Sequence, residues 1–373
     1  MTTTDAASPP VRKAGSADLV RATLSQAGRK LILTVRTGSP VPLAELDHLP
    51  KPRSADSRYL CLALRAGGRR EERRFCVGGT QGAHSRVGMV SVNAMGRATR
   101  RSTLGAQVKR PVRRKLVVVL RPDHARLAPR RYGWRVLERR DGCQGCEESL
   151  PAQGLNRFRL RPVRAMGCTG GASGLVRNGP RGRKLVSLTF DDGPSAHTED
   201  FLDVLHNRGV DATFFQIGQE MHGRAEVMRR ILREGNEIAN HTTHHGFYPS
   251  YSDLVATNAL IRAATHFQPC LFRPPGGAVN AAVIGAAGQA GMRTVLWDVD
   301  PTDWANPGSG AIHSRVVSAV RPGSIVVMHE GGGNRSGTLA ALPSIIKALR
   351  ARGYRFATVS ELLGERMFYR PYG

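Results

Sequence analysis

From Asp18 to about Val163 the chain reads as short apolar or alternating runs broken by turn residues. Candidate strands are Leu19 to Leu24, Lys30 to Arg36, Tyr59 to Arg65, Arg73 to Val77, Gly88 to Val92, Leu116 to Leu120 and Arg135 to Leu137, with Gly67-Gly68 and Gly78-Gly79 among the breaks. Repeated short strands without a long helical period predict a β-sandwich of jelly-roll or immunoglobulin-like kind. Between Pro162 and Arg183 glycine, arginine and small residues dominate, which predicts a linker. Beyond Arg183 the period changes. Leu185 to Phe190 is a continuous apolar strand, Ala212 to Ile217 a second, and strands recur near Glu237, Phe272, Val295, Ile325 and Phe356. Helical spacing fills the intervals at His197 to Asn207, Glu220 to Arg233, Leu254 to His266, Ala281 to Ala290, Ile312 to Val320 and Leu339 to Arg352. Seven strands alternating with helices predict a parallel β/α barrel or an open doubly wound sheet, with the active site at the strands' C-terminal ends.

Charge separates the same two parts. The 373 residues carry 55 Lys and Arg against 29 Asp and Glu, a formal charge of +26. Up to Pro180 the count is 35 against 12, and beyond it 20 against 17, so nearly all the excess lies in the first part. That asymmetry excludes an acidic disordered chain and points the N-terminal part toward a polyanion, be it nucleic acid, an anionic cell-wall polymer or an anionic membrane surface, against the blander alternative of a solvated arginine-rich face. No nucleic-acid-binding motif is present. No run approaches 18 apolar residues, and the first 30 residues lack the apolar segment of a signal peptide, which leaves a cytoplasmic protein and a wall-exposed protein whose targeting segment has been removed as alternatives. Of six cysteines, Cys61 and Cys76 flank a polar turn between two strand patterns, a spacing that suits a cross-strand disulfide. Cys143, Cys146 and Cys168 leave their pairing open, one bridge with a spare thiol or an incomplete zinc knuckle.

Polar clusters fall at the predicted strand ends. Thr189-Phe190-Asp191-Asp192-Gly193-Pro194-Ser195 places two adjacent carboxylates after a buried strand, where a metal ion would hold them charged and an Asp-Gly-Pro turn facing water would not require one. In Asn240-His241-Thr242-Thr243-His244-His245 the first and last histidines are four apart, so a helical turn would put both on one cation. Phe272-Arg273-Pro274-Pro275-Gly276-Gly277 offers a cation able to keep a carboxylate ionised and a loop with inward amides. Trp297-Asp298-Val299-Asp300-Pro301-Thr302-Asp303-Trp304 adds acids and an aromatic wall, and Ile325-Val326-Val327-Met328-His329-Glu330 ends a strand on histidine.

In this order the five segments resemble the polysaccharide deacetylases of the NodB-homology type, carbohydrate esterase family 4, over Lys184 to about Leu363. The resemblance implies a distorted (β/α) barrel of about seven strands and one divalent metal, zinc first, with cobalt, nickel or manganese as alternatives. It implies removal of acetyl groups from N-acetylated amino sugars, or of O-acetyl groups from xylan. Carried residue by residue, it makes Asp192, His241 and His245 metal ligands, Asp191 the general base and His329 the general acid. It further makes Arg273 the partner of Asp191, Asp303 the partner of His329, the Gly276 amide an oxyanion donor, and Trp304 and Val327 borders of the acetyl and sugar pocket. Three departures stand out. Gly276 replaces a frequent Tyr, which would open space beside it; Gly246 replaces Pro, and Glu330 replaces Asp. Gly331 to Ser336 reads as a flexible lip.

The expected layout is therefore a disordered segment 1–17, a basic β-sandwich 18–163, a linker 164–183, a deacetylase barrel 184–363 and a tail 364–373. The expected activity is metal-dependent N-deacetylation of a peptidoglycan-like or chitin-like substrate, with anionic wall polymer as a further partner. Alternatives are a deacylase or amidohydrolase acting on acetylated xylan, a small glycoside or an amide, and a non-catalytic wall-binding protein.

Overall fold

The computed structural model describes residues 19–40, 46, 58–67, 71–78, 86–93, 98–104, 106–122, 125, 127–140, 147–161, 163–168, 173–365 and 367–371. The expected disordered segment 1–17 and both Cys143 and Cys146 lie outside them. The chain divides into two compact units that meet in sequence between Pro162 and Val163.

In the first unit, β1 (Leu19–Ala27), β2 (Lys30–Thr37), β7 (Gln107–Val112) and β8 (Lys115–Leu120) form an antiparallel sheet in the order β1-β2-β8-β7. A second antiparallel sheet holds β3 (Arg58–Ala66), β4 (Glu72–Gly78), β5 (Arg86–Val92), β6 (Ala98–Leu104), β9 (Arg131–Arg140), β10 (Glu147–Leu150) and β11 (Asn156–Arg159). Leu31, Leu33, Val35, Leu116 and Val118 of one sheet share a core with Leu62, Phe75, Val87, Trp134 and Val136 of the other, the two-sheet packing that period-2 burial produces. β6, β7, β10 and β11 were not foreseen; Ala98–Leu104, Gln107–Val112 and Asn156–Arg159 are rich in Arg, Lys and Gln, so their strand character comes from pairing with neighbours. Cys61 and Cys76 are partners in the β3–β4 register and form a disulfide.

The second unit begins earlier than the sequence suggests. Residues expected as linker and tail supply β12 (Val163–Cys168) and β21 (Met367–Pro371), an antiparallel pair, and β13 (Leu175–Val176), which extends the main sheet. Their pairing partners are about two hundred residues away or in the barrel, so no local period announces them. Cys270, with no partner assigned from sequence, is also disulfide-bonded.

The main sheet is parallel and runs β13-β18-β17-β16-β15-β14-β19, where β14 is Leu185–Gly193, β15 Thr213–Gln216, β16 Glu237–Asn240, β17 Leu271–Phe272, β18 Arg293–Val295 and β19 Ile325–His329. β20 (Arg355–Phe356) pairs with the start of β14. The sheet curls until Val299 bridges Val326 and Asn178 bridges Ser324, so the barrel closes through single bridges and is distorted. Helices α1 (Thr198–Arg208), α2 (Ala225–Glu234), α3 (Tyr251–Thr265), α4 (Ala281–Gln289), α5 (Ser309–Ala319), α6 (Ser336–Ala351) and α7 (Val359–Leu363) accompany it, and none among the described residues is long and apolar enough to cross a membrane.

Alternation along each strand sorts the side chains. Val186, Leu188 and Phe190, with Phe214, Ile238, Val326 and Met328, point outward onto Phe201, Leu205, Ile231, Ile261 and Ile345, each buried large side chain contributing about 1.5–3 kcal/mol. The interior is filled by Phe215, Ala239, Leu271, Val295 and Ile325, with Val359 and Leu362 of α7 closing its lower end. Continuing the inward set upward reaches Asp191, Arg273 and His329, which is how a buried core delivers polar groups to one rim.

At the lower end Glu237 is fully buried and accepts hydrogen bonds from Thr213 Oγ1, Ser360 Oγ and the Ser360 amide, fastening α7. Burial pushes its carboxyl up to about 7 from 4.5, against these hydrogen bonds. Because the folded-state value is raised, the native state binds the proton more tightly than the unfolded chain. The stability gained is full below about pH 4.5 and is lost as pH rises through about 7. The thermal midpoint of Glu237→Gln measured against that of the unmodified protein should therefore rise between about pH 5 and about pH 8. Parallel midpoint curves would remove Glu237 from the pH response.

Candidate active site

Asp191 and Asp192 are neighbours with opposite placements. Asp191 continues the inward set of β14, is 3% exposed, and its Oδ1 accepts from Arg273 Nη1 at 2.7 Å. Asp192 has φ of 69°, and the β14–β15 register shifts between Asp191 and Gly193. That left-handed turn, which aspartate tolerates better than most residues, brings the second carboxylate to the histidines instead of into the helical layer. Asp192 Oδ1 lies 3.4 Å from His241 Nε2 and 3.2 Å from His245 Nε2.

The two histidines converge without a helical turn. Residues 241–245 are irregular, with positive φ at Thr242 and His245, and the imidazole rings meet edge-on at 5.1 Å. The expected helical face is therefore replaced by two left-handed residues that fold the loop back on itself. His241 Nδ1 donates to the Arg273 carbonyl at 2.7 Å, which directs Nε2 toward Asp192. His244 points elsewhere, onto Gln219.

Asp192 Oδ1 is buried and has no hydrogen-bond partner, although two ring nitrogens face it. A carboxylate oxygen and two Nε2 lone pairs within 4.8 Å form a donor set for one cation, and the orphaned oxygen is the sign that one fits. Burial acts to raise the Asp192 carboxyl, but the two imidazoles outweigh it and hold it well below the usual carboxylate range. His245 is raised in turn, chiefly by Asp192.

Arg273 is fully buried, and burial lowers its pKa against the pull of Asp191. Its Nη1 also donates to Thr189 Oγ1, its Nε and Nη2 to the Val295 and Leu296 carbonyls, and its plane lies 4.0 Å from the Phe215 ring centroid. On the neighbouring strand β19, His329 is the register partner of Asp191; its Nδ1 bonds Asp303 Oδ1 at 2.8 Å, while Asp303 Oδ2 accepts from the His329 amide and Thr338 Oγ1. Burial works to lower the His329 pKa, and the Asp303 hydrogen bond with the nearby acids overcomes it, so the imidazole is raised.

Gly276 stands in the short turn Pro275–Gly277 at φ 59°. The Gly277 and Ala278 amides bond back to Pro274 and Pro275, while the Gly276 amide closes no such backbone bond. The space beside Gly276 is filled, contrary to expectation: a Cβ there would lie 2.6 Å from Cε1 of Phe247, an exposed ring on the histidine loop. Gly276→Ala should cost about 1–2 kcal/mol from the left-handed backbone plus a smaller overpacking term, because the exposed Phe247 ring can turn aside. Phe247→Ala in the same chain should remove only the overpacking term, and additive losses in thermal unfolding would disprove the contact's importance.

The Gly331 to Ser336 run is pinned. Arg335 is 4% exposed and donates to the Gly331, Gly332, Asn334 and Trp304 carbonyls. A Cβ at Gly331 would meet the Asp192 carbonyl oxygen at 2.0 Å and one at Gly332 would meet Asp192 Oδ2 at 2.6 Å, so the glycines let this loop close over Asp192. Glu330, read only as a departure, is fully buried, bonded to Thr198 Oγ1 and Gln216 Nε2, and pushed by burial to about 7. Its place directly after the strand-ending histidine was the available signal for it. Trp304 is exposed, whereas Val327 is buried in β19 two residues before His329.

A family model described as polysaccharide deacetylase matches residues 178–295. A peptidoglycan-N-acetylglucosamine deacetylase of Bacillus cereus is 44% identical over 192 residues, covering 49% of this chain and 90% of its own. A chitooligosaccharide deacetylase of Bradyrhizobium is 38% identical, over 48% of this chain and 91% of its own. Among solved structures, a peptidoglycan N-acetylglucosamine deacetylase bound to a hydroxamic acid-type benzamide matches with a TM-score of 0.49 and 30% identity, over 51% of this chain and 92% of its own. A Bacillus anthracis protein described as a family 4 pseudoenzyme matches with a TM-score of 0.48 and 30% identity, over 52% and 69%. At 44% identity across nine-tenths of the Bacillus cereus enzyme's length, this chain belongs to the polysaccharide deacetylase family.

Proposed function

We propose that the protein hydrolyses the N-acetyl group of an amino-sugar polymer or oligomer in a metal-dependent reaction, with peptidoglycan first and chitin-like chains next. The observation that carries this reading is the Asp192, His241 and His245 donor set accompanied by the Asp191–Arg273 and His329–Asp303 pairs, with Asp191 and His329 in register on adjacent strands. A divalent cation held by those three residues, zinc or a similar transition ion, would supply Lewis acidity to the acetyl carbonyl and to water.

The remaining chemistry belongs to the chain. Asp191, oriented by its ion pair with Arg273, accepts a proton from the attacking water. His329, held through Nδ1 by Asp303 and with a raised pKa, gives its proton from Nε2 to the departing amine. One C–O bond forms, the C–N bond breaks, and acetate and a free amino sugar leave. The Gly276 amide faces the developing oxyanion, Val327 packs beneath His329 as the apolar floor, and Trp304 offers a ring to the sugar. Two disulfide-bonded regions and the wall-polymer substrate together support work outside the cytoplasm.

Acetate and ammonia release should be measured side by side on N-acetylglucosamine oligomers, peptidoglycan, acetylated xylan, small acetylated glycosides and linear and cyclic amides. Acetate should come fastest from an amino-sugar substrate. Preference for xylan or an amide would move the enzyme to another substrate class, and no turnover by metal-loaded protein would make it a wall-binding protein.

A further inference from the structure

The four-stranded sheet β1-β2-β8-β7 turns one face to the sandwich core and the other to solvent, and register decides what that outer face carries. Arg21 pairs with Arg36, and Arg36 pairs with Lys115, so three cations stand side by side on three adjacent strands, roughly 4.8 Å from strand to strand. Lys109 lies in the next row, opposite Val117, and Arg113 and Arg114 form the exposed β7–β8 turn. Like charges directly opposite one another destabilise a sheet. The four strands contain no Asp or Glu, and among the described residues no ion pair involves these six cations. Among the described residues the face carries no aromatic ring, so it lacks the stacking surface with which a neutral sugar chain is gripped; Ile32, Val117 and Val119 give it a smooth aliphatic centre.

The geometry points to this face as a docking surface for a linear cell-wall polymer whose charge resides in phosphodiesters, which would hold the enzyme on the wall. The disulfide in the other sheet of the same unit favours an extracellular polymer over nucleic acid. The inference rests on the proposed wall substrate for its biological sense, but its test is separate from that of the catalytic reading.

The full chain and two charge-matched variants, Arg21→Gln/Arg36→Gln/Lys115→Gln and Arg157→Gln/Arg159→Gln/Arg161→Gln, should be sedimented with purified bacterial walls before and after hydrofluoric acid extraction of their phosphodiesters. Single-stranded DNA serves as the competing polyanion, and turnover of a soluble N-acetylglucosamine oligomer is followed in parallel. The unmodified protein should bind untreated walls in a salt-sensitive way and release from extracted walls. The first variant should lose at least about tenfold in wall binding and the second much less, with oligomer turnover unchanged in both and the thermal midpoint of the first no lower than that of the unmodified protein, because repulsion between opposed cations is relieved. Equal binding to extracted walls, equal losses in both variants, or tighter binding to DNA than to walls would each overturn the assignment. Loss of oligomer turnover in the unmodified protein would strike the catalytic reading and leave this one standing.

Discussion

Asp191→Asn should lower acetate release from N-acetylglucosamine oligomers by about two to four orders of magnitude, the range of a lost general base, while leaving bound metal unchanged. The same substitution should also destabilise the protein. Arg273 is fully buried and its Nη1 sits 2.7 Å from Asp191 Oδ1, so a neutral amide leaves a buried cation without its counter-charge, at a cost of about 3–5 kcal/mol. Thr189 Oγ1 and the Val295 and Leu296 carbonyls still accept from the guanidinium, so the barrel should remain folded at moderate temperature. Adding Arg273→Met should recover much of the thermal stability and none of the activity. Retention of more than a tenth of the native rate by Asp191→Asn would remove it from proton transfer.

Chelation should abolish turnover by at least about a thousandfold, and one equivalent of a divalent transition ion should restore it. Calorimetry should find a single tight site per chain, lost in Asp192→Ala, because two imidazoles remain but the charged ligand is gone. Metal at a hundred times its Kd should raise folding stability by about 2.7 kcal/mol, visible as a higher Tm in the unmodified protein and not in Asp192→Ala. Affinity should fall as pH drops below the histidine range, since both imidazoles must be neutral to ligate. Full activity in demonstrably metal-free protein would refute the role given to Asp192, His241 and His245.

These expectations depend on a site whose parts differ in how visible they were in sequence. Asp191, Asp192, Arg273 and His329 each close a run of apolar residues, and His241 follows the short buried strand β16; a chemistry-bearing group at the end of a buried strand is a local pattern. The glycine run after Glu330 misled, because its rigidity comes from Arg335 folding back onto its carbonyls, and arginine in a polar stretch ordinarily signals solvent. Phe247 was overlooked for the opposite reason: an exposed aromatic in a loop has no period to mark it, and only the close approach to Gly276 gives it meaning.

Sequence alone determined the alternating order from β14 through α6 to β20, since period-2 and period-3.6 burial are written along the chain, and it named candidate residues for the chemistry. Tertiary structure decided how they meet. A left-handed Asp192 turns one of two adjacent carboxylates to the histidines while its neighbour stays on the arginine, two left-handed residues bend the histidine loop without a helix, and β12 and β21 join the ends of the second unit. Each of these depends on contacts between residues far apart in the chain or on a backbone angle that side-chain identity permits without requiring, and local patterning holds no record of either.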